Sequence, residues 1–182
     1  MITDRLELVP LTVDLCEAEA RGPDVVGRTL RVRVPASWPP PVFEPEDLER
    51  LRQRLERDPA SRAWTLYYLV QRPVTAAPRE LLGIAGYVGP PSAEGVVEIG
   101  YAIAEEHQRR GYATEAVRAL IQQAFADANV AGVAATTYAS LEPSIAVLRK
   151  AGFALVGQDK ASGLVRYERW REPMRDSNGP AA

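Results

Sequence analysis

Apolar and polar positions alternate over residues 5–10 (RLELVP), a pattern that predicts a short strand. Thr12 is placed to cap a helix running through about Arg21. The next stretch, GPDVVGRTLRV, fits neither the helical nor the strand period. VPASWPPPVFEP carries five prolines in twelve residues and is expected to be irregular or extended, because proline lacks a donor and fixes φ. Pro45 suits the first turn of a helix, EDLERLRQRLERD, with Leu48, Leu51 and Leu55 on one face; Asp58-Pro59 ends it. AWTLYYLVQ (63–71), ELLGIAGYV (80–88) and VVEIGYAI (96–103) read as three strands, separated by a Pro-containing loop (72–79) and the turn GPPSAEG. Neighbours this close predict an antiparallel meander.

The period then changes. Over 112–128, Ala116, Val117, Leu120, Ile121, Ala124 and Phe125 share one helical stripe. GVAATTY (132–138) is a strand, and PSIAVLRKAG (143–152) a short helix with Pro143 near its start and Gly152 past its end. FALVGQD (153–159) and LVRYERW (164–170) form a final hairpin through KASG. The order is mostly β, then α-β-α-β-β. That is an α+β (mixed α/β) fold: a mixed sheet with helices on both sides. One domain is expected over residues 1–171. The polar remainder, 172–182, has no apolar period and reads as a flexible tail.

Composition narrows the function classes. The chain has 182 residues, enough for one core without a metal or disulfide to hold it. A net charge of −2 argues against a nucleic-acid partner, although Arg109 and Arg110 make a local basic patch. The single cysteine, Cys16, permits no internal disulfide and suits a reducing cytoplasm; its place in a helix suggests a buried, inert thiol. MITDRLELVPL lacks the features of a signal peptide, and no apolar run is long enough to span a membrane. The lone histidine, His107, has no cluster of ligands around it, so no metal site is expected; it reads as a solvated residue or a phosphate contact.

The candidate chemistry begins at QRRGYATEA, Gln108 to Ala116. The first turn of a helix starting near Gly111 has N–H groups without intrahelical partners and a partial positive charge. Glycine lets an anion approach the backbone, Ala113 is small, Thr114 offers a hydroxyl, and Arg109 and Arg110 raise the local potential. These features suit a pyrophosphate seat. They also suit a plain helix start, with Glu115 complementing the dipole.

Gln108 to Ala113 resembles the Q/R-x-x-G-x-G/A signature of the GCN5-related N-acetyltransferase (GNAT) family. EIGYAI before it, EAVRALIQQAF in the helix and PSIAVLRKAGFALVG after the next strand resemble the same family. The TDRLELVPL start and the SWPPP element resemble the branch of ribosomal-protein N-terminal alanine acetyltransferases. The similarity is densest over about residues 80–157. It implies a GNAT-like, mostly antiparallel sheet of six to seven strands with helices on both faces. It also implies acetyl-CoA as co-substrate and a primary amine, on a protein N-terminus or a small molecule, as acceptor. The amine would attack directly in a ternary complex. The resemblance assigns the pantetheine arm to backbone at Tyr101, Ala102 and Ile103. It assigns the pyrophosphate to N–H groups of Arg109, Arg110, Gly111, Tyr112, Ala113 and Thr114, and counts Gln108 among the cofactor-binding residues. The backbone N–H near Ala102 or Ile103 would face the thioester oxygen.

Glu98 is the candidate base. It alternates against Val97 and Ile99 and so points away from the apolar side of its strand, where it is otherwise a solvated or ion-paired residue. Ser144 is the candidate donor to the leaving thiolate, or else an ordinary serine near a helix start. Tyr138, at a strand end, is the second candidate donor. The chain departs from the family pattern at Leu141, which stands where relatives carry asparagine. That departure motivates an alternative: a GNAT-fold acyl-CoA-binding or regulatory module without turnover. Trp38 reads either as a wall of the acceptor cleft or as a core plug. A homodimer is the expected assembly if the chain oligomerises.

Overall fold

Strand β1 (Leu6–Pro10) buries Leu6 and Leu8 and leaves Glu7 and Val9 partly open, as its alternation predicts. The structure, a computed structural model, describes residues 1–40, 45–73 and 78–172. Residues 41–44, the middle of the 72–79 loop and the tail from 173 lie outside that range. Helix α1 (Val13–Ala20) starts at Thr12, whose hydroxyl accepts from Leu15 N–H at 3.3 Å. The stretch with no clear period is a second helix, α2 (Pro23–Leu30), with proline in its first turn and Arg31 left-handed at its end. Helix α3 (Pro45–Arg57) buries Leu51 and Leu55.

The predicted strand at 63–71 is shorter. Ala63 and Trp64 belong to a 3-10 helix, Pro59–Trp64, because Ser61 ties its N–H (3.0 Å) and hydroxyl (2.6 Å) back to the Asp58 carbonyl. Strands β2 (Leu66–Gln71), β3 (Leu81–Tyr87) and β4 (Val96–Ile103) form the expected antiparallel meander. Two glycines in β3 permit this close pairing: a Cβ at Gly83 would lie 2.3 Å from the Ala102 oxygen, and one at Gly86 would lie 2.5 Å from Leu66 Cα.

Helix α4 (Tyr112–Ala126) crosses over to β5 (Gly132–Tyr138), which therefore pairs parallel to β4. Helix α5 (Glu142–Lys150) leads to β6 (Ala154–Asp159) and β7 (Leu164–Trp170). The seven strands run β1-β2-β3-β4-β5-β7-β6, so β7 inserts between β5 and β6.

Two apolar clusters sandwich the sheet. One joins Val97, Ile99 and Ile103 of β4 to Ala116, Val117, Leu120, Ile121 and Ala124 of α4, and to Ile145 and Leu148 of α5. The other packs Tyr68, Val70 and Ile84 against α1, α2 and α3. Phe125, at the edge of the predicted α4 stripe, is only partly buried. The helices on the second face lie over the β1–β3 half of the sheet. On that face the β5–β7–β6 half carries exposed Thr136, Tyr138 and Trp170.

Candidate active site

Strands β4 and β5 pair only at Val96–Gly132, Val97–Val133 and Glu98–Ala134. Beyond Glu98 they diverge, and β5 goes on pairing with β7 alone. The backbone edge exposed by this split follows from the strand pleat. Glu98 O accepts from Val88 N–H at 2.9 Å, and Ala104 N–H donates to Leu82 O at 2.9 Å, both toward β3. Backbone polar groups alternate sides along a strand, so the even-numbered residues of β4 face β3 and the odd-numbered ones face the gap. Tyr101 and Ile103 therefore present N–H groups to the gap, while Ala102 directs its own toward β3. Of the two donors considered for a thioester oxygen, Ile103 is the one that faces the gap. The Ile103 carbonyl accepts from Gln108 Nε2 at 3.1 Å, which closes that end of the edge.

Past Gln108 the chain turns through two left-handed residues, Arg109 (φ 59°) and Gly111 (φ 82°), into α4. Arg109 and Arg110 are exposed. The first-turn N–H groups at Tyr112, Ala113 and Thr114 have no intrahelical acceptor. Glycine at 111 avoids the steric cost that a Cβ meets in the left-handed region. Backbone N–H groups, cationic side chains and a helix N-terminus at the end of an open strand edge suit an anionic ligand.

Glu98 and Ser144 lie on opposite faces of the sheet. Glu98 points to the α1–α3 face, where its carboxylate accepts from Thr136 Oγ1 at 2.8 Å and stands 3.8 Å from Arg166 Nη1. Its side chain is 40% exposed, so it meets water as well as protein. Tyr138, half exposed, shares that face two residues beyond Thr136. Ser144 lies across the sheet in the first turn of α5. Its Oγ is 3.0 Å from the Tyr101 hydroxyl, which also donates to the Ser144 carbonyl at 2.9 Å. Burial pushes the Tyr101 phenol up to about 12, and the Ser144 hydrogen bond only partly offsets this, so the group stays protonated at neutral pH. Leu141 is the N-cap of α5 and offers no side-chain hydrogen bond.

The sequence pointed to Tyr101 by its backbone alone; its side chain, which bridges β4 to α5, was missed. Thr136 and Arg166, the partners of Glu98, were missed too, since β7 reaches that face only by inserting beside β5. The remaining candidates fall away from the gap. His107 is buried rather than solvated, 7% exposed, with Nε2 3.5 Å from Glu80 and Nδ1 without a partner among the described residues. Desolvation and then Arg110 lower its pKa, so it is neutral at pH 7. Trp38 plugs the core: its Nε1 donates to Glu19 at 2.7 Å and its ring tilts against Tyr68. Cys16 is buried, and desolvation raises its thiol to about 11, which keeps it unreactive. A cavity of about 490 Å³ beside Cys16, Glu19 and Arg52 lies between α1 and α3, away from the split. Among the described residues no His/Cys/Asp/Glu group is arranged to hold a metal, and no helix is long and apolar enough to cross a membrane.

The opened strand edge and the N-terminus of α4 lie side by side. The profile of the acetyltransferase (GNAT) domain family matches residues 5–154, and the chain belongs to that family of acetyltransferases. It is 27% identical over 153 residues to an uncharacterized N-acetyltransferase of Bacillus subtilis strain 168, YjdG, over 84% of this chain and 88% of that one. Among solved structures, RimL, a ribosomal L7/L12 alpha-N-protein acetyltransferase in complex with coenzyme A, has a TM-score of 0.64 at 17% identity, over 93% of this chain and 96% of that one. The microcin C7 self-immunity acetyltransferase MccE, in complex with acetyl-CoA and AMP, has a TM-score of 0.61 at 15% identity, over 93% and 94%. At these identities the structural likeness is one of fold.

Proposed function

We propose that this chain transfers an acetyl group from acetyl-CoA to a primary amine, on a protein N-terminus or a small molecule, by direct attack in a ternary complex. The observation that carries the reading is the split between β4 and β5. It leaves a gap in the sheet, with the N-terminus of α4 and Ser144 toward one face and Glu98 on the other. The N–H groups at Tyr101 and Ile103 suit a pantetheine arm lying in strand-like fashion, and those from Arg109 to Thr114 suit the pyrophosphate. RimL and MccE, which share the fold, were solved with coenzyme A and acetyl-CoA respectively.

In this reading the acceptor approaches from the Glu98 face. Glu98 takes a proton from the ammonium, directly or through water. The free amine attacks the thioester carbon, and the Ile103 N–H faces the oxygen that becomes negative. As the C–N bond forms, the C–S bond breaks and the thiolate leaves with the electron pair. Ser144, whose hydroxyl is paired with the protonated Tyr101, supplies the proton to sulfur, and the second proton of the attacking nitrogen, passed through water, restores that hydroxyl. Tyr138, on the acceptor face, is the second candidate donor. Arg166 and Thr136 orient the Glu98 carboxylate.

Leu141 favours one other reading, an acyl-CoA-binding module without turnover, because the α5 N-cap lacks the polar side chain that relatives place there. Thiol release from acetyl-CoA, measured against peptides, amino acids, polyamines and aminoglycosides, separates the two. Release above the hydrolysis background with at least one amine is the expected result. CoA binding by calorimetry with no release across the panel supports the binding module. Absence of CoA binding by the folded protein removes both.

A further inference from the structure

The N-terminal turn makes a set of contacts that the proposed chemistry does not use. Thr3 N–H donates to Leu6 O at 2.9 Å, and Met1 O accepts from Leu8 N–H at 2.8 Å, so residues 1–8 fold back on themselves. From this turn Arg5 reaches the start of α4. Its Nε lies 2.7 Å and its Nη2 2.7 Å from Glu115 Oε2, and its Nη1 donates to the Arg110 carbonyl at 2.8 Å. The guanidinium sits over the Tyr112 ring, 4.7 Å from its centroid. Arg5 N–H and Thr3 Oγ1 also donate to Glu115 Oε1, at 2.8 and 2.6 Å. These contacts fall at Arg110, Tyr112 and Glu115, on the loop and first turn that would hold the pyrophosphate.

The consequence follows from peptide geometry. In a trans peptide the C=O and the following N–H point in opposite directions. Arg5 draws the Arg110 carbonyl toward the N-terminal turn, so the Gly111 N–H is directed away from it, to the side where an anion would sit. The left-handed Arg109, a non-glycine residue at φ 59°, makes this loop a conformation that needs outside support. Arg5 is also the side chain nearest Gly111, 3.3 Å from where its Cβ would be.

We propose that Arg5 is a positioning residue for cofactor binding: its grip on the Arg110 carbonyl and Glu115 aims the loop amides at the pyrophosphate of the acyl donor. The inference rests on the acetyl-CoA reading above. Lysine cannot reproduce it, because a single ammonium lacks the planar fork that meets both acceptors.

The test compares two acyl donors in Arg5→Lys and Arg5→Ala: acetyl-CoA, and S-acetylpantetheine, which lacks the pyrophosphate. The readout is the ratio of their kcat/KM values, with KM and kcat for acetyl-CoA measured separately. Misdirecting the loop amides is expected to raise KM for acetyl-CoA about tenfold, the size of one lost hydrogen bond. The kcat at saturation should stay within about twofold, because the acyl group and its catalytic groups are untouched. The ratio should then fall about tenfold. If the ratio is unchanged, or both donors lose equally, Arg5 is a structural residue and the proposal is wrong. Arg5→Lys keeps the charge and the fold, and so gives the answer even where Arg5→Ala unfolds. A wild-type protein that uses both donors equally overturns the phosphate cradle itself, and this inference with it.

Discussion

Glu98 sits between a hydroxyl donor and a guanidinium, and these partners bear on the base role proposed for it. Thr136 lies 2.8 Å from one oxygen and Arg166 3.8 Å from the other, so the carboxylate has a fixed direction and still meets water. General-base groups contribute about 10²–10⁴-fold to rate. Glu98→Gln is expected to lower kcat for amine acetylation by about that factor while leaving the calorimetric Kd for CoA within about twofold. A normal kcat in the folded variant removes Glu98 from the mechanism. At this scale the sequence was partly legible. The alternation of VVEIGYAI was enough to turn Glu98 away from the core. It could not supply Thr136 or Arg166, which belong to β5 and β7, because local pattern carries no information about which strand lies beside which. Tyr101 shows the same limit: its hydroxyl meets Ser144 of α5, a partner far along the chain.

Among the elements, α4 was the most legible and α2 the least. The α4 stripe has apolar residues at helical spacing against a packed sheet, and all of them but Phe125 are buried. In α2 only Val26 is buried, and the helix is eight residues long with Gly27 inside it, so its stretch of sequence read ambiguously. The turn into α4 was legible as a glycine motif, but its conformation was not. Gly111 has φ 82°, where a side chain costs about 1–2 kcal/mol. Gly111→Val is expected to lower the thermal midpoint by a few degrees and to weaken CoA binding at least about tenfold by calorimetry. Unaltered CoA affinity in that variant shows that the loop backbone does not hold the phosphates.

At the scale of the molecule, one ion pair ties the start of the domain to its crossover helix: Arg5, in the N-terminal turn, grips Glu115 of α4, 110 positions further on. Burial alone would push the Glu115 carboxyl up, but hydrogen bonds from Thr3 and from the Arg5 backbone and side chain outweigh it, and the net shift is downward. A lowered folded-state pKa stabilises the protein above the ordinary carboxylate value of 4.5 and ceases to do so as pH falls through the folded value. Urea denaturation should therefore find Glu115→Gln less stable than wild type at pH 7, with the gap narrowing below about pH 4.5. An equal gap at pH 7 and pH 3 assigns the loss to packing rather than to the charge.

Most of the elements, the antiparallel meander, the crossover helix and the glycine turn could be read from the chain alone, because each rests on periods and residue types within a few neighbours. Where β7 inserts, how soon β4 and β5 part, and which face each candidate group occupies emerge only when the chain is folded. Those features depend on register between distant strands. The split itself is such a feature: it exists because two strands stop pairing after Glu98 and Ala134, which no local pattern announces.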